Sequence, residues 1–206
     1  FDKRNSSDHP ANMTESTSTS SREPLAIVGM ACRFPGGVES PEAFWDFLAS
    51  GENGVTVVPA DRWDADRFFH PDNTATGKLV TRWGGFTKGI EEFDAAFFGI
   101  SPREALRMDP QQRRLLQVAW ETFEDAGIPS STLRGSDTGI YIGLSNSDYG
   151  RIQADAVERV DGYSNIGNTF SIAANRISYQ FDLKGPSLVV DTACSSSLVA
   201  LHLACQ

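Results

Sequence analysis

The sequence predicts an α/β fold in which helices and buried strands alternate and pack in layers. With 206 residues, the chain is long enough for one domain with a hydrophobic core, or for half of a larger domain. Hydrophobic residues make up 40% and charged residues 22%, which is ordinary for a soluble globular protein. The second half of the chain runs through helix, strand, helix, strand and helix patterns. This alternation is typical of layered α/β proteins.

The first 24 residues stand apart from this pattern. They are almost all polar, and "MTESTSTSSREP" consists mainly of Ser, Thr and charged residues. Such a segment cannot bury enough apolar area to offset the entropy lost on ordering. We therefore predict a disordered segment over residues 1–24 and a folded part over residues 25–206. Because the chain starts at Phe1 and stops inside an apolar helical pattern at Gln206, the sequence also predicts a piece of a larger protein.

The folded part opens with an apolar run and a well-marked helix. In "LAIVGMACRF", Leu25–Val28 are apolar and are followed by Gly29, which predicts a short buried strand. In "SPEAFWDFLASG", Ser40 has the position of an N-cap, Pro41 follows it, and Gly51 stands just past the end. These residues predict a helix that starts after Ser40 and stops before Gly51.

Residues 52–99 are rich in Gly, Pro, Asp and aromatic residues. This composition predicts a long excursion with short strands, not a second domain. Within it, Gly77 and Lys78 lack the following Ser or Thr and the upstream Gly of a nucleotide-binding loop. Further on, "GIYIGLSNSDYG" lacks the glycine spacing of a dinucleotide site. The sequence thus predicts no bound cofactor.

A long amphipathic helix is predicted in "DPQQRRLLQVAWETFEDAG". Asp109 has the position of the N-cap, Pro110 opens the helix, and Gly127 closes it. Four apolar residues share one face at three- and four-residue spacing: Leu116, Ala119, Trp120 and Phe123. Arg113 and Arg114 are expected opposite this face, where we predict solvent or a dimer partner.

Two strands and two helices complete the predicted order. "TGIYIGLS" and "PSLVVDTA" predict buried strands, and "NTFSIAANRISYQF" predicts a mostly apolar helix between them. The preceding "YSNIGN", Tyr163 to Asn168, is interpreted as a loop without a catalytic role. A last helix is predicted to begin in "CSSSLVALHLACQ", so Cys194 lies where a strand ends and a helix starts.

The position of Cys194 suggests a nucleophile. The first N–H groups of a helix have no internal partner and carry a partial positive charge, which stabilises a thiolate. The same groups can bind the oxyanion that forms when a thiolate attacks a thioester. Small neighbours, Ala193 and three serines, allow a substrate to approach, and Asp191 is placed to brace the turn. On spacing alone, a buried structural cysteine remains the alternative.

The motifs around Cys194 resemble those of a known family. "DTACSSSLVALH" is similar to the active-site signature of β-ketoacyl synthase domains in modular polyketide synthases. "EPLAIVGMACRFPGG", "RWDADRFFHPD", "MDPQQR", "GIYIGLS" and "AANRISYQFDLKGPS" resemble successive landmarks of that family, over about residues 24–206. The resemblance implies the thiolase-like fold, layered α-β-α-β-α, of which this chain would be the N-terminal half, with the domain paired as a homodimer.

The resemblance also implies a reaction. Cys194 would accept an acyl chain from the phosphopantetheine arm of an acyl carrier protein. A malonyl-type extender would then lose carbon dioxide, and its carbanion would attack the acyl-cysteine. Acyltransferase and other synthase domains would be the further partners.

Family members use two histidines from the C-terminal half, and this chain has three other histidines. His9 lies in the polar segment, and His70 is interpreted as a surface residue of a loop. His202 is eight residues beyond Cys194, about 12 Å along the helix, which is too far for general base work, so we assign it to packing. The chain alone is therefore predicted to lack condensing activity.

Several functions and sites are disfavoured. The net charge of −9 argues against nucleic acid as a partner, and no apolar segment approaches the length of a membrane span.

Cys32 and Cys205 are interpreted as structural thiols, and Cys205 is expected to be buried. The odd number of cysteines predicts neither disulfides nor a metal site. Without a signal peptide, a cytoplasmic location is expected.

Two related functions stay open beside the condensing enzyme. The domain could be a non-elongating module that holds and transfers an acyl chain. It could also belong to a fatty acid synthase, although "MACRFPGG" and "MDPQQR" favour the polyketide type.

Overall fold

The computed structural model describes residues 24–154, 158 and 160–206. The predicted disordered segment, residues 1–24, therefore lies outside the described residues except for Pro24. In chain order the helices are α1 Pro41–Ser50, α2 Ala65–Phe68, α3 Pro102–Ala105, α4 Pro110–Asp125, α5 Ser130–Leu133, α6 Asp148–Ala154, α7 Gly162–Asn168, α8 Phe170–Phe181 and α9 Ser196–Ala204. The strands are β1 Val55–Val57, β2 Trp83–Gly85, β3 Ile140–Gly143 and β4 Ser187–Val190.

A parallel strand pair organises the second half of the chain. β3 and β4 run side by side, with Ile140 opposite Ser187 and Gly143 opposite Val190. Parallel neighbours require a crossover, and the segment with α6, α7 and α8 provides it. α8 and α9 both pack against this pair. The predicted order of strand, helix, strand and helix is therefore confirmed here.

The hydrophobic core lies between α4, α8 and the parallel strands. Met108, Leu116 and Ile177 are its largest fully buried side chains. Phe98, Phe181 and Leu183 complete the buried cluster, and Trp120 stacks on Phe181 with ring centroids 6.1 Å apart. The apolar face predicted for α4 is confirmed, since Leu116 is buried and three neighbours pack against the cluster: Ala119, Trp120 and Phe123.

The predicted ends of α1 and α4 are confirmed in atomic detail. The Ser40 hydroxyl accepts the Ala43 N–H at 3.2 Å, and Gly51 closes α1 in the left-handed conformation, with φ of 69°. The Asp109 carboxylate accepts the Gln111 N–H at 2.8 Å at the start of α4. Gly127, also at positive φ, follows the end of α4.

Residues 52–99 contain the predicted short strands. β1 and β2 form an antiparallel pair in which Val55 lies opposite Gly85 and Val57 opposite Trp83. The ion pair between Arg82 and Asp66, at 2.7 Å, connects the residue before β2 to α2.

The strand predicted at Leu25–Val28 is wrong. The segment forms no strand, and Ile27 is 79% exposed. An apolar segment forms a strand only where another strand is available for pairing, and this segment leads instead into residues that contact α4. Gly29 lies against the Thr122 carbonyl, and the Met30 N–H donates to Asp125 at 2.7 Å.

Two further predictions need correction. "YSNIGN" is not a loop: it belongs to α7, which starts with a capping box between Asp161 and Ser164. The solvated surface predicted for this side of α4 is wrong for Arg113, because residues 88–92 cover it, whereas Arg114 is partly exposed. Arg113 is 9% exposed and donates to the Glu91 carbonyl at 3.2 Å, while Arg114 donates to the Lys88 carbonyl at 2.6 Å.

Candidate active site

Cys194 lies on the connection between β4 and α9, as predicted. β4 ends at Val190, a single 3₁₀ turn spans Ala193–Ser195, and α9 begins at Ser196. The α-helix therefore starts two residues after the cysteine, which lies in the turn that leads into it. The Cys194 side chain is exposed. The alternative of a buried structural cysteine is thus wrong for the described chain.

The backbone just before the cysteine is strained. Ala193 has a φ of 54°, and among the described non-glycine residues only Asp182 shares a positive φ. A side chain in this left-handed region clashes with its own backbone, at a cost of about 1–3 kcal/mol. Such strain persists only where surrounding contacts over-determine the conformation. The strained Ala193 directly precedes the exposed Cys194.

Three side chains hold this turn through short-range hydrogen bonds. Asp191 Oδ1 accepts the Ala193 N–H at 3.0 Å, so the predicted bracing by Asp191 is confirmed. Ser195 Oγ lies 2.9 Å from the Thr192 carbonyl, to which it donates. Ser196 Oγ accepts the Thr192 N–H at 2.9 Å and donates to the Ala193 carbonyl at 2.7 Å. The turn is thus fixed at both ends of the strained residue.

Gly143 allows the start of α9 to pack against the end of β3. A Cβ at this position would lie 2.5 Å from the Ser197 nitrogen and 2.7 Å from the Ser196 carbonyl carbon. Real Cβ atoms do not approach backbone this closely, so only glycine fits without a shift. Sequence reasoning missed Gly143, because "GIYIGLS" shows a glycine at a strand end but not what approaches it.

The backbone N–H of Cys194 is available to a ligand. The hydrogen bonds found among the described residues give it no acceptor. The positive end of the α9 dipole lies next to it. An exposed thiol beside an unpaired N–H can attack a carbonyl carbon while the N–H stabilises the oxygen that becomes negative. This arrangement fits acyl transfer.

The other predicted thiols differ from Cys194. Cys32 is partly buried, and burial raises the pKa of its thiol while the adjacent Arg33 guanidinium opposes the rise. This agrees with its structural interpretation. Cys205 is exposed, so the prediction of a buried thiol is wrong. Cys205 directly follows the last residue of α9, and the described part of the chain does not cover it.

Neither of the two described histidines, His70 and His202, makes a hydrogen bond with the cysteine turn, residues 191–196. His70 is exposed, and its Nδ1 accepts the Asp72 N–H at 3.1 Å, which confirms the surface interpretation. His202 is exposed near the end of α9, so the packing predicted for it is wrong. His9 lies outside the described residues. Within the described ranges, no three His, Cys, Asp or Glu side chains cluster as metal ligands would.

The fold agrees with comparisons to known proteins. The family described as "Beta-ketoacyl synthase, N-terminal domain" matches residues 22–206. The chain belongs to this family, whose members of known structure include the ketosynthase domains of polyketide synthases.

Particular relatives make the assignment more specific. Two of them are subunits of the phenolphthiocerol/phthiocerol polyketide synthase of Mycobacterium tuberculosis. One is 56% identical over 184 residues, which are 89% of this chain and 12% of that protein. The other is 53% identical over 201 residues, 98% of this chain and 11% of that protein. The chain thus spans about a tenth of the length of these curated relatives.

Solved structures show the same fold. The oxazolomycin ketosynthase domain OzmH KS7 of Streptomyces albus JA3453 is 42% identical with a TM-score of 0.80, over 87% of this chain and 31% of that one. The module 6 ketosynthase of the bacillaene synthase from Bacillus subtilis 168 is 41% identical with a TM-score of 0.74, over 87% and 28%. The predicted thiolase-like fold is confirmed by this likeness. None of the described helices is long and apolar enough to cross a membrane.

Proposed function

We propose that Cys194 is the acyl-accepting nucleophile of a polyketide β-ketoacyl synthase to which this chain contributes the N-terminal part. The single observation that carries the proposal is the geometry of the turn. An exposed thiol follows a strained residue, lies at the start of a helix and has an N–H that finds no acceptor among the described residues. Membership of the family supports the same reaction.

The proposed loading step uses only this turn and a thioester. The Cys194 thiolate attacks the carbonyl carbon of an acyl chain held on the phosphopantetheine arm of an acyl carrier protein. The oxygen becomes negative and accepts a hydrogen bond from the Cys194 N–H. When the carbonyl re-forms, the carbon–sulfur bond to the carrier breaks, and the carrier leaves as a thiolate that takes up a proton. The acyl chain is then a thioester of Cys194.

The proposed condensation needs groups that this turn does not supply. A malonyl-type extender on a carrier loses carbon dioxide, and the carbanion left behind attacks the acyl-cysteine carbonyl. The new carbon–carbon bond forms as the Cys194 thiolate leaves, which regenerates the enzyme. We expect histidines outside this chain to assist the decarboxylation, and we expect the domain to work as a homodimer in the cytoplasm beside acyltransferase and other synthase domains.

Acyl loading tests the proposal through a pair of cysteine variants. In the synthase polypeptide that contains this chain, Cys194→Ala abolishes transfer of a radiolabelled acyl group from the carrier to the protein. Cys205→Ala is the matched control, because both thiols are exposed, and it leaves loading unchanged. Normal loading of the Cys194→Ala variant would overturn the proposal.

A further inference from the structure

The buried hydroxyl of Ser196 makes hydrogen bonds on both sides of the strained residue of the candidate site, Ala193. Ala193 keeps its positive φ although it has a side chain, so contacts around it must favour that conformation. Ser196 makes two of these contacts, on the two sides of Ala193. We propose that Ser196 is a positioning residue that holds Cys194 in its reactive orientation. This inference rests on the proposed function of Cys194.

The two hydrogen bonds of Ser196 span the strained residue and form a clamp on it. The Ser196 Oγ accepts the Thr192 N–H at 2.9 Å, on the peptide group that precedes Ala193 by one residue. The same Oγ donates to the Ala193 carbonyl at 2.7 Å, on the peptide group that leads directly to Cys194. One hydroxyl therefore fixes the backbone on both sides of Ala193. That backbone determines where the N–H and the side chain of Cys194 point.

Burial makes these contacts effective. Ser196 is only 6% exposed, whereas Thr192, Ala193 and Cys194 are all exposed. Water does not compete easily for a hydroxyl in such a position, so the Ser196 Oγ stays on its two backbone partners. Ser196 is thus the buried anchor of an otherwise exposed turn.

The clamp is attached to the parallel sheet. Ser196 is the first residue of α9, and its carbonyl carbon would lie 2.7 Å from a Cβ at Gly143. The end of β3 therefore holds the Ser196 backbone in place. Because β3 is tied to β4 by the parallel ladder, Ser196 fixes the position of the cysteine relative to the sheet.

The neighbouring serine provides a control. Ser197 is exposed, and its hydroxyl makes no hydrogen bond with the described residues. Ser196→Ala and Ser197→Ala thus remove the same atom from adjacent positions of the same helix, and only the first breaks contacts to the strained residue.

The test measures acylation of Cys194 in the synthase polypeptide, with both the rate constant and the final extent recorded. Ser196→Ala lowers the rate constant for acyl transfer from the carrier by about 10- to 100-fold, because the nucleophile is misplaced. The final extent stays that of the unmodified protein. A serine that served only folding would lower the extent and not the rate constant. Ser197→Ala leaves both unchanged.

A second variant tests the mechanism through the strain itself. Glycine adopts positive φ without penalty, so Ala193→Gly removes the need for the clamp. The loss caused by Ser196→Ala is therefore several-fold smaller in the Ala193→Gly background. An unchanged rate constant in Ser196→Ala, or an equal loss in both backgrounds, would overturn the inference. Neither result touches the proposed function, which fails only if Cys194→Ala still accepts the acyl group.

Discussion

At the scale of single residues, the site depends on the close approach between the end of β3 and the start of α9 as much as on the nucleophile. Gly143 contributes no functional group, yet it sets the distance between the end of β3 and the start of α9. The atoms that a Cβ would meet belong to the backbone of Ser196 and Ser197, so they cannot rotate away. Any side chain at position 143 must push the helix that carries the cysteine turn.

Gly143→Ala is expected to destabilise the chain by about 1–3 kcal/mol, the usual cost of overpacking. Urea unfolding monitored by circular dichroism measures this change. Gly162→Ala is the control, since a Cβ at Gly162 meets nothing within 4 Å, and it should change stability little. Equal stability of the two variants would show that β3 and α9 are less closely packed than described.

The position of Cys194 could be predicted from the sequence, but the geometry around it could not. The apolar run before it and the small residues after it indicate a strand, a turn and a helix. The positive φ of Ala193 left no signal, because alanine rarely adopts it. Ser196 could not be singled out among three serines, since its burial depends on β3, which is distant in sequence.

At the scale of elements, α7 shows how a charged cap can make a helix sensitive to pH. The Asp161 carboxylate accepts the N–H groups of Tyr163 and Ser164 at 3.0 and 3.1 Å, and Arg103 Nε donates to it at 3.2 Å. Partial burial raises the pKa of Asp161, but the hydrogen bonds from Arg103 and from the start of α7 outweigh this. The pKa therefore lies below its usual value.

A lowered folded-state pKa gives a stabilisation that is present above the unfolded value of about 3.9 and is lost as pH falls through the folded value. Asp161→Asn keeps a good N-cap but removes the charge. The unmodified chain should therefore be more stable than Asp161→Asn near neutral pH, and the difference should shrink as pH falls below the unfolded value and through the lower folded value. Urea unfolding across this pH range measures it; a difference independent of pH would contradict the account.

Element prediction succeeded where local signals were complete. Capping residues and apolar spacing predicted α1 and α4 correctly. The apolar runs predicted β3 and β4, and these two strands pair with each other. It failed at Leu25–Val28, because the hydrophobicity of a segment does not indicate whether another strand is available to pair with it. It failed at α7, where Asp161 and Ser164, three residues apart, form the capping box that starts the helix.

At the scale of the whole molecule, a large apolar surface is exposed beside the cysteine turn. Leu198 is 71% and Leu201 is 57% exposed on α9. Close by, a cleft of about 490 Å³ lies between α4, the edge of β3 and α9, with Val118, Ile142 and Ala200 in its wall. Contiguous apolar surface of this kind promotes association in water.

The isolated chain is therefore expected to self-associate through α9. The double variant Leu198→Glu/Leu201→Glu should lower its apparent mass in light scattering, because each charge resists burial. Tyr179→Glu is the control, as Tyr179 is 88% exposed on α8, and it should leave association unchanged. Association that persists equally in the α9 variant would place the contact elsewhere.

The most direct test of the central claim is to locate the acyl group on the unmodified synthase polypeptide. After incubation with an acyl carrier thioester, the protein is digested, and the three cysteine-containing regions of this chain are analysed by mass spectrometry. We predict the acyl mass on the peptide with Cys194 and none on those with Cys32 or Cys205. An acyl group on Cys205, or an unmodified Cys194 after transfer is complete, would contradict the account.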